Sequence, residues 1–120
     1  MDDITNPLGL HTLLTLKTLE TSRLMNLKGF VDFTDSLLED FELEKVGSTS
    51  FVFENDSFTI AYCLKESHIC IHTWPEINTL TLDVYLCNYS QDNTFKVKSL
   101  ANKFVQYFNA EIIKKTEVER

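Results

Sequence analysis

The groups in this chain that can do chemistry are crowded into one run: Glu66-Ser67-His68, then His72, Trp74 and Glu76, with Cys87 eleven positions further on. A serine hydroxyl, an imidazole and a thiol are groups that carry covalent and proton-transfer steps. An imidazole of unperturbed pKa roughly 6.5 takes and gives protons at neutral pH, and a thiol of pKa about 8.5 can return one. Taken singly, each residue has a blander reading. A serine between two strands is usually a hydrogen-bonding turn serine. A strand histidine is usually bonded to a backbone carbonyl. An unpaired cysteine is usually a small buried hydrophobe. Their combination in one short stretch, around the only tryptophan of the chain, sets the run apart.

Strands must carry most of it. Ile69 to Thr73 and Thr79 to Cys87 read as extended segments. In the second, Leu80, Leu82, Val84 and Leu86 share one face, and Asp83, Tyr85 and Cys87 share the other. Val46 to Phe53 and Phe58 to Leu64 precede them, separated by the turn Glu54-Asn55-Asp56-Ser57. Gly9 to Leu16 reads as a first strand with imperfect alternation. Thr21 or Ser22 caps a helix running to about Phe41, with Leu24, Leu27, Phe30, Val31, Leu37 and Leu38 on one face. Gly29 weakens that helix, and Glu39, Asp40 and Glu42 oppose its dipole, so its end is expected to fray. Asn88 to Asn93 is a polar loop, and Asn93 or Thr94 caps a second helix to about Asn109 with a stripe of Val97, Leu100, Ala101, Phe104, Val105 and Phe108. Glu111 to Lys115 closes the chain as a short strand, followed by a charged tail, and residues 1–8 read as a disordered lead-in. The order taken from these segments is β-α-β-β-β-α-β. It implies a two-layer α/β sandwich, an antiparallel sheet with both helices on one face. The other face, mixed aromatic and polar, then wants cover.

The 120 residues make one domain, 1–120, with nine Phe and four Tyr to fill a single core. A net charge of −7 argues against nucleic acid and anionic membrane as partners. No apolar run approaches the roughly 20 residues that cross a bilayer, and no secretory signal is visible. Three cysteines, Cys63, Cys70 and Cys87, are an odd number at spacings that match no zinc site. Reduced thiols in a cytoplasmic protein are expected, with Cys63 and Cys70 packed in the core and no bound metal.

The string Glu66-Ser67-His68, Ile71-His72-Thr73-Trp74-Pro75-Glu76, Asp83 and Cys87 resembles the prokaryotic S-adenosylmethionine decarboxylases. The spacings agree: a processing histidine five residues after the serine and an acid cysteine twenty after it. The resemblance implies a proenzyme that cuts itself at Glu66-Ser67 into a β chain of 1–66 and an α chain of 67–120. Ser67 attacks the Glu66 carbonyl, β-elimination frees Glu66, and hydrolysis leaves a pyruvoyl cofactor on residue 67. That carbonyl, through a Schiff base, is the electron sink a decarboxylation needs. It further implies His72 as the group that takes the α-proton, Cys87 as general acid, Phe53 as a stack for adenine, and a homodimer whose open sheet faces meet near the active sites. His68 falls to a supporting role. Glu76 is placed to accept bonds from ribose hydroxyls.

The chain departs from the family pattern around the substrate. Thr59 stands eight before Ser67, where the family has a serine that assists processing; it keeps the hydroxyl and stiffens χ1. The glycine after it is Ile60, a histidine is replaced by Phe51, and a Pro-Tyr-Gly turn by Asn55-Asp56-Ser57. The acid four residues after His11 in the family's Gly-x-His opening is Thr15. The expected substrate is S-adenosylmethionine, for polyamine synthesis. Two alternatives stand beside it: the same chemistry on arginine or ornithine, or a homologue that does not process and serves as a regulatory or binding partner.

Overall fold

The computed structural model describes residues 8–88 and 91–120; the expected lead-in over residues 1–7 and positions 89–90 of the polar loop lie outside them. The elements are β1 (Gly9–Lys17), a 3-10 turn (Thr21–Met25), α1 (Leu27–Asp40), β2 (Lys45–Val52), β3 (Phe58–Leu64), β4 (His68–Trp74), a 3-10 turn (Pro75–Ile77), β5 (Thr79–Cys87), α2 (Thr94–Tyr107) and β6 (Glu111–Glu119). The strands form one antiparallel sheet in the order β2-β3-β4-β5-β1-β6. Both helices pack on one face, as the apolar patterning requires. Four strands lie between the helices, matching the four extended segments read there; the order β-α-β-β-β-α-β undercounts those segments by one.

Strand alternation builds the core. Leu10, Leu14 and Leu16 of β1, Ile69 and Ile71 of β4, and Leu80 to Leu86 at every second position of β5 are buried against the helices. Each such side chain contributes about 1.5–3 kcal/mol by leaving water. Phe30 of α1 anchors the layer above them, its ring centroid 5.6 Å from both Phe58 and Phe104.

Three helix and strand ends differ from expectation. The first α-helix begins at Leu27 rather than after Ser22, because Asn26 Oδ1 accepts the Gly29 N–H at 2.9 Å and caps it there. A Cβ on Gly29 would come within 2.6 Å of the Asn26 side chain, so this glycine permits the cap. The acidic end of α1, expected to fray, is closed by Glu42 in the left-handed region (φ 57°), with the Leu43 N–H on the Leu38 carbonyl at 2.8 Å. The charged tail is not a tail. β6 runs to Glu119 because β1, at full length, offers it an edge to pair along.

Candidate active site

Ser67 sits in the turn from β3 to β4, half-buried beside an exposed Glu66. The Leu64 N–H donates to the Ser67 carbonyl at 2.9 Å and closes that hairpin. Ser67 Oγ accepts the backbone N–H of Cys87 at 2.9 Å, so the proposed nucleophile and the proposed acid are neighbours across twenty residues of sequence. Cys87 ends β5 opposite Gly9. A Cβ on Gly9 would lie 2.3 Å from the Leu86 carbonyl oxygen and 2.8 Å from the Tyr85 ring; only glycine lets β1 approach this corner. The Cys87 carbonyl accepts from Asn93 Nδ2 at 2.8 Å.

Thr59 and His72 face each other on paired strands, β3 and β4, at the opposite end of the open face. Thr59 Oγ1 and His72 Nδ1 are 2.7 Å apart. Beside them is a pocket of about 310 Å³ walled by Phe53, Asn55, Thr59, His72, Trp74 and Glu76. Phe53 is 49% exposed and Trp74 39%, so neither ring is spent on the core. Asn55 Oδ1 accepts from the Ser57 N–H at 3.1 Å and the Ser57 hydroxyl at 2.6 Å, which turns Nδ2 outward to Glu76 Oε2 at 3.3 Å. Glu76 is thus a held carboxylate at the pocket wall.

The two pairs do not meet within one chain. Ser67 and His72 stand five residues apart along an extended strand, about 16 Å. Between the ends lies an aromatic group on the open face: the His11 ring is 5.4 Å from His68 and 5.8 Å from Tyr85. Burial lowers the His11 pKa from 6.5, with His68 and Arg120 pushing the same way and Asp83 opposing them. The His68 side chain takes part in this cluster, in keeping with a supporting role.

Cys63 and Cys70 are not core residues. Tyr62 and Leu64, Ile69 and Ile71 occupy the helix-facing positions, so alternation turns both thiols to the open face, Cys63 exposed and Cys70 half-buried. Burial, then Asp83 and Cys63, push the Cys70 thiol up. Sequence reasoning missed Asn55 and Asn93 as side chains that touch the site. Both had been read as turn and cap residues, which is the commoner use of asparagine, and nothing in spacing distinguishes the two uses.

The description S-adenosylmethionine decarboxylase matches residues 10–120. The chain is 34% identical over 80 residues to the S-adenosylmethionine decarboxylase proenzyme of Aquifex aeolicus (strain VF5), covering 67% of this chain and 59% of that protein. It is 34% identical over 89 residues to the proenzyme of Persephonella marina, covering 74% and 66%. Thus the chain spans about three fifths to two thirds of the length of these relatives. With the proenzyme of Clostridium botulinum (strain Loch Maree / Type A3) identity is 27% over 112 residues, 92% of this chain and 90% of the relative. The crystal structure of the adenosylmethionine decarboxylase from Aquifex aeolicus VF5 superposes with a TM-score of 0.83 at 27% identity, over 96% of this chain and 92% of that one. The sheet order and the two helices over it are therefore those of a solved relative, and the chain belongs to the S-adenosylmethionine decarboxylase family.

Proposed function

We propose that the chain cleaves itself between Glu66 and Ser67 and then decarboxylates S-adenosylmethionine, feeding polyamine synthesis. The observation that carries this reading is the pairing of Ser67 with Cys87 at 2.9 Å and of Thr59 with His72 at 2.7 Å. Both contacts join residue types the two steps need.

In processing, Ser67 Oγ attacks the Glu66 carbonyl carbon and the peptide C–N bond gives way to an ester. Loss of the Ser67 α-proton then expels the Glu66 carboxylate and leaves a dehydroalanine, whose imine tautomer water hydrolyses to the ketone with release of ammonia. His72 is the base for that α-proton. Thr59 holds the imidazole from Nδ1, which leaves Nε2 as the ring nitrogen for proton transfer. The residues fit a pyruvoyl group at position 67: the serine stands in a hairpin turn, outside both strands, with its oxygen already on a backbone donor. Such a group supplies the electron-accepting carbonyl that decarboxylation requires. Cys87 lies against the same position and is the proposed proton donor to the product carbon. Phe53 offers a face to adenine, and Glu76 accepts from ribose hydroxyls.

The distance between Ser67 and His72 supports a homodimer. Two copies packed open face to open face, about a two-fold axis crossing β4 near Cys70, lay the Ser67–Cys87 end of one over the Thr59–His72 end of the other. Packed sheets stand about 10 Å apart, close enough for side chains from both to enclose a substrate. The odd cysteine count supports a reducing, cytoplasmic setting. Among the described residues no helix is long and apolar enough to cross a membrane.

Intact mass of the purified protein tests the reading. Fragments 1–66 and 67–120 are expected, the second lacking an amino terminus. A chain that stays whole after prolonged incubation removes the enzyme reading altogether. Labelled carbon dioxide release then tests the substrate: yield from arginine or ornithine and none from S-adenosylmethionine would reassign it.

A further inference from the structure

Asn93 occupies the N-cap position of α2, yet its side chain makes no capping hydrogen bond. The exposed N–H of Thr94 is taken instead by Asp92 Oδ1 at 2.9 Å. The Asn93 amide is committed elsewhere. Its Oδ1 accepts from Gln91 Nε2 at 3.2 Å, and its backbone N–H donates to Asn88 Oδ1 at 2.7 Å. Held at both points, it has one direction left for Nδ2, and that leads to the Cys87 carbonyl at 2.8 Å.

Cys87 is therefore gripped on both sides. The peptide group before it donates to Ser67 Oγ, and the peptide group after it accepts from Asn93. Together these bonds fix the rotations on either side of the Cys87 Cα, and so the direction of the Cα–Cβ bond from which the thiol hangs. They also fix where the N–H that carries Ser67 Oγ stands. An oxygen that accepts here keeps its own proton to give up when it attacks.

We propose that Asn93 is a positioning residue for both steps, holding the Cys87 backbone so that its N–H places Ser67 Oγ for self-cleavage and its thiol faces the reacting carbon for proton return. This rests on the decarboxylase reading above. Asn93 touches neither the substrate nor the group at position 67; it acts through Cys87. Within one chain the Thr59–His72 end and the pocket beside it share no contact with Asn93, so an effect on cleavage and turnover without an effect on substrate affinity separates this role from others.

The test is Asn93→Asp in the full chain. Aspartate keeps the size, the oxygen that Gln91 donates to and a residue type favoured at N-caps, and replaces the donor to the Cys87 carbonyl with a charged acceptor. Self-cleavage is followed on denaturing gels and by intact mass. kcat and KM are measured per mole of processed 67–120. The expected result is cleavage and kcat each slowed about tenfold, with KM within about twofold and a near wild-type melting temperature. Asn93→Ala, which removes the donor without adding charge, is expected to move the same two rates in the same direction. Wild-type cleavage and kcat in both folded variants would overturn the inference and leave the decarboxylase reading standing. So would a lowered melting temperature with unchanged rates, which assigns Asn93 to helix α2 alone, or a raised KM at unchanged kcat, which assigns it to substrate. A wild-type chain that never cleaves overturns both.

Discussion

The two ends of β4 place their reactive groups by different means. Thr59 and His72 are direct partners in the β3–β4 ladder, so their 2.7 Å contact follows from strand register alone. Ser67 stands where β3 and β4 have ceased to pair, and its contact with Cys87 depends on a turn, on the bare Cα of Gly9 and on the loop that carries Asn93. The base is set in the rigid part of the sheet and the nucleophile in a hinge. That difference suits the proposed chemistry. A cut between residues 66 and 67 breaks no ladder. The fragment 1–66 keeps β1, β2, β3 and α1, and 67–120 keeps β4, β5, β6 and α2, still joined through β3–β4, β1–β5 and β1–β6. The new terminus is free to settle while His72 stays in place.

The largest expected effect follows from the proposal that a working site takes its two ends from different copies. Ser67→Ala and His72→Ala each abolish or nearly abolish cleavage when expressed alone. Expressed together, a mixed dimer joins the intact Ser67 of one chain to the intact His72 of the other, and one of its two sites is whole. Cleavage of the His72→Ala chain should reappear, readable by mass because the two chains differ. If co-expression restores nothing while dimers form, the site is not shared between copies.

A smaller change probes the rigid end. Thr59→Val keeps the β-branched shape and drops the hydroxyl, so His72 Nδ1 loses its 2.7 Å partner. Cleavage should slow by about fivefold to tenfold, the worth of roughly 1 kcal/mol for one such bond. Thr59→Ser restores the oxygen and should cleave at least as fast as wild type. Equal rates for the valine variant would mean that strand register alone orients the imidazole.

The contrast between the ends also explains what the sequence made legible. Leu80, Leu82, Val84 and Leu86 alternate cleanly, so β5 and its face were readable, and the helical stripes gave both helices and the layer they cover. The run from Glu66 to Glu76 with Cys87 carried the family. The start of α1 was misplaced because Thr21 and Ser22 are good caps by residue type, whereas they open a 3-10 turn and Asn26 after it caps the helix. β6 was cut short because charge at Glu117 and Glu119 reads as a tail, whereas an edge strand tolerates charge on both faces. Cys63 and Cys70 were assigned to the core by residue type, and strand phase overruled that. Asn55 and Asn93 were invisible as site residues because their partners, Glu76 and Cys87, are brought to them by folding.

Asn55 allows a finer comparison within the His72 end, between the base and the pocket beside it. Asn55→Ala removes the donor to Glu76 Oε2, together with the acceptor for the Ser57 N–H and hydroxyl, and leaves the carboxylate to swing. KM for S-adenosylmethionine should rise about threefold to tenfold, with kcat and cleavage within about twofold, since one bond to a charged group is lost far from Ser67. Binding of an adenosyl thioether to the uncleaved Ser67→Ala chain should weaken by the same factor. An unchanged KM would place Glu76 outside the substrate's reach.

The smallest effect belongs to the aromatic group between the ends, where His11 packs against His68 and Tyr85. Burial lowers its pKa below 6.5 in the folded chain, so folding favours the neutral ring. The unfolded chain then binds more protons at acid pH. The stability this ring contributes is fully present above pH 6.5 and is lost as pH falls below it toward the folded pKa. Carboxylates add their own acid dependence, but His11→Asn shares them, and Asp83, His68 and Arg120 remain around the site. Melting temperatures measured from pH 7.5 down to about 5 should therefore fall less steeply in His11→Asn than in wild type. Parallel curves would show that the His11 ring is solvated in the folded protein and that the acid sensitivity lies elsewhere.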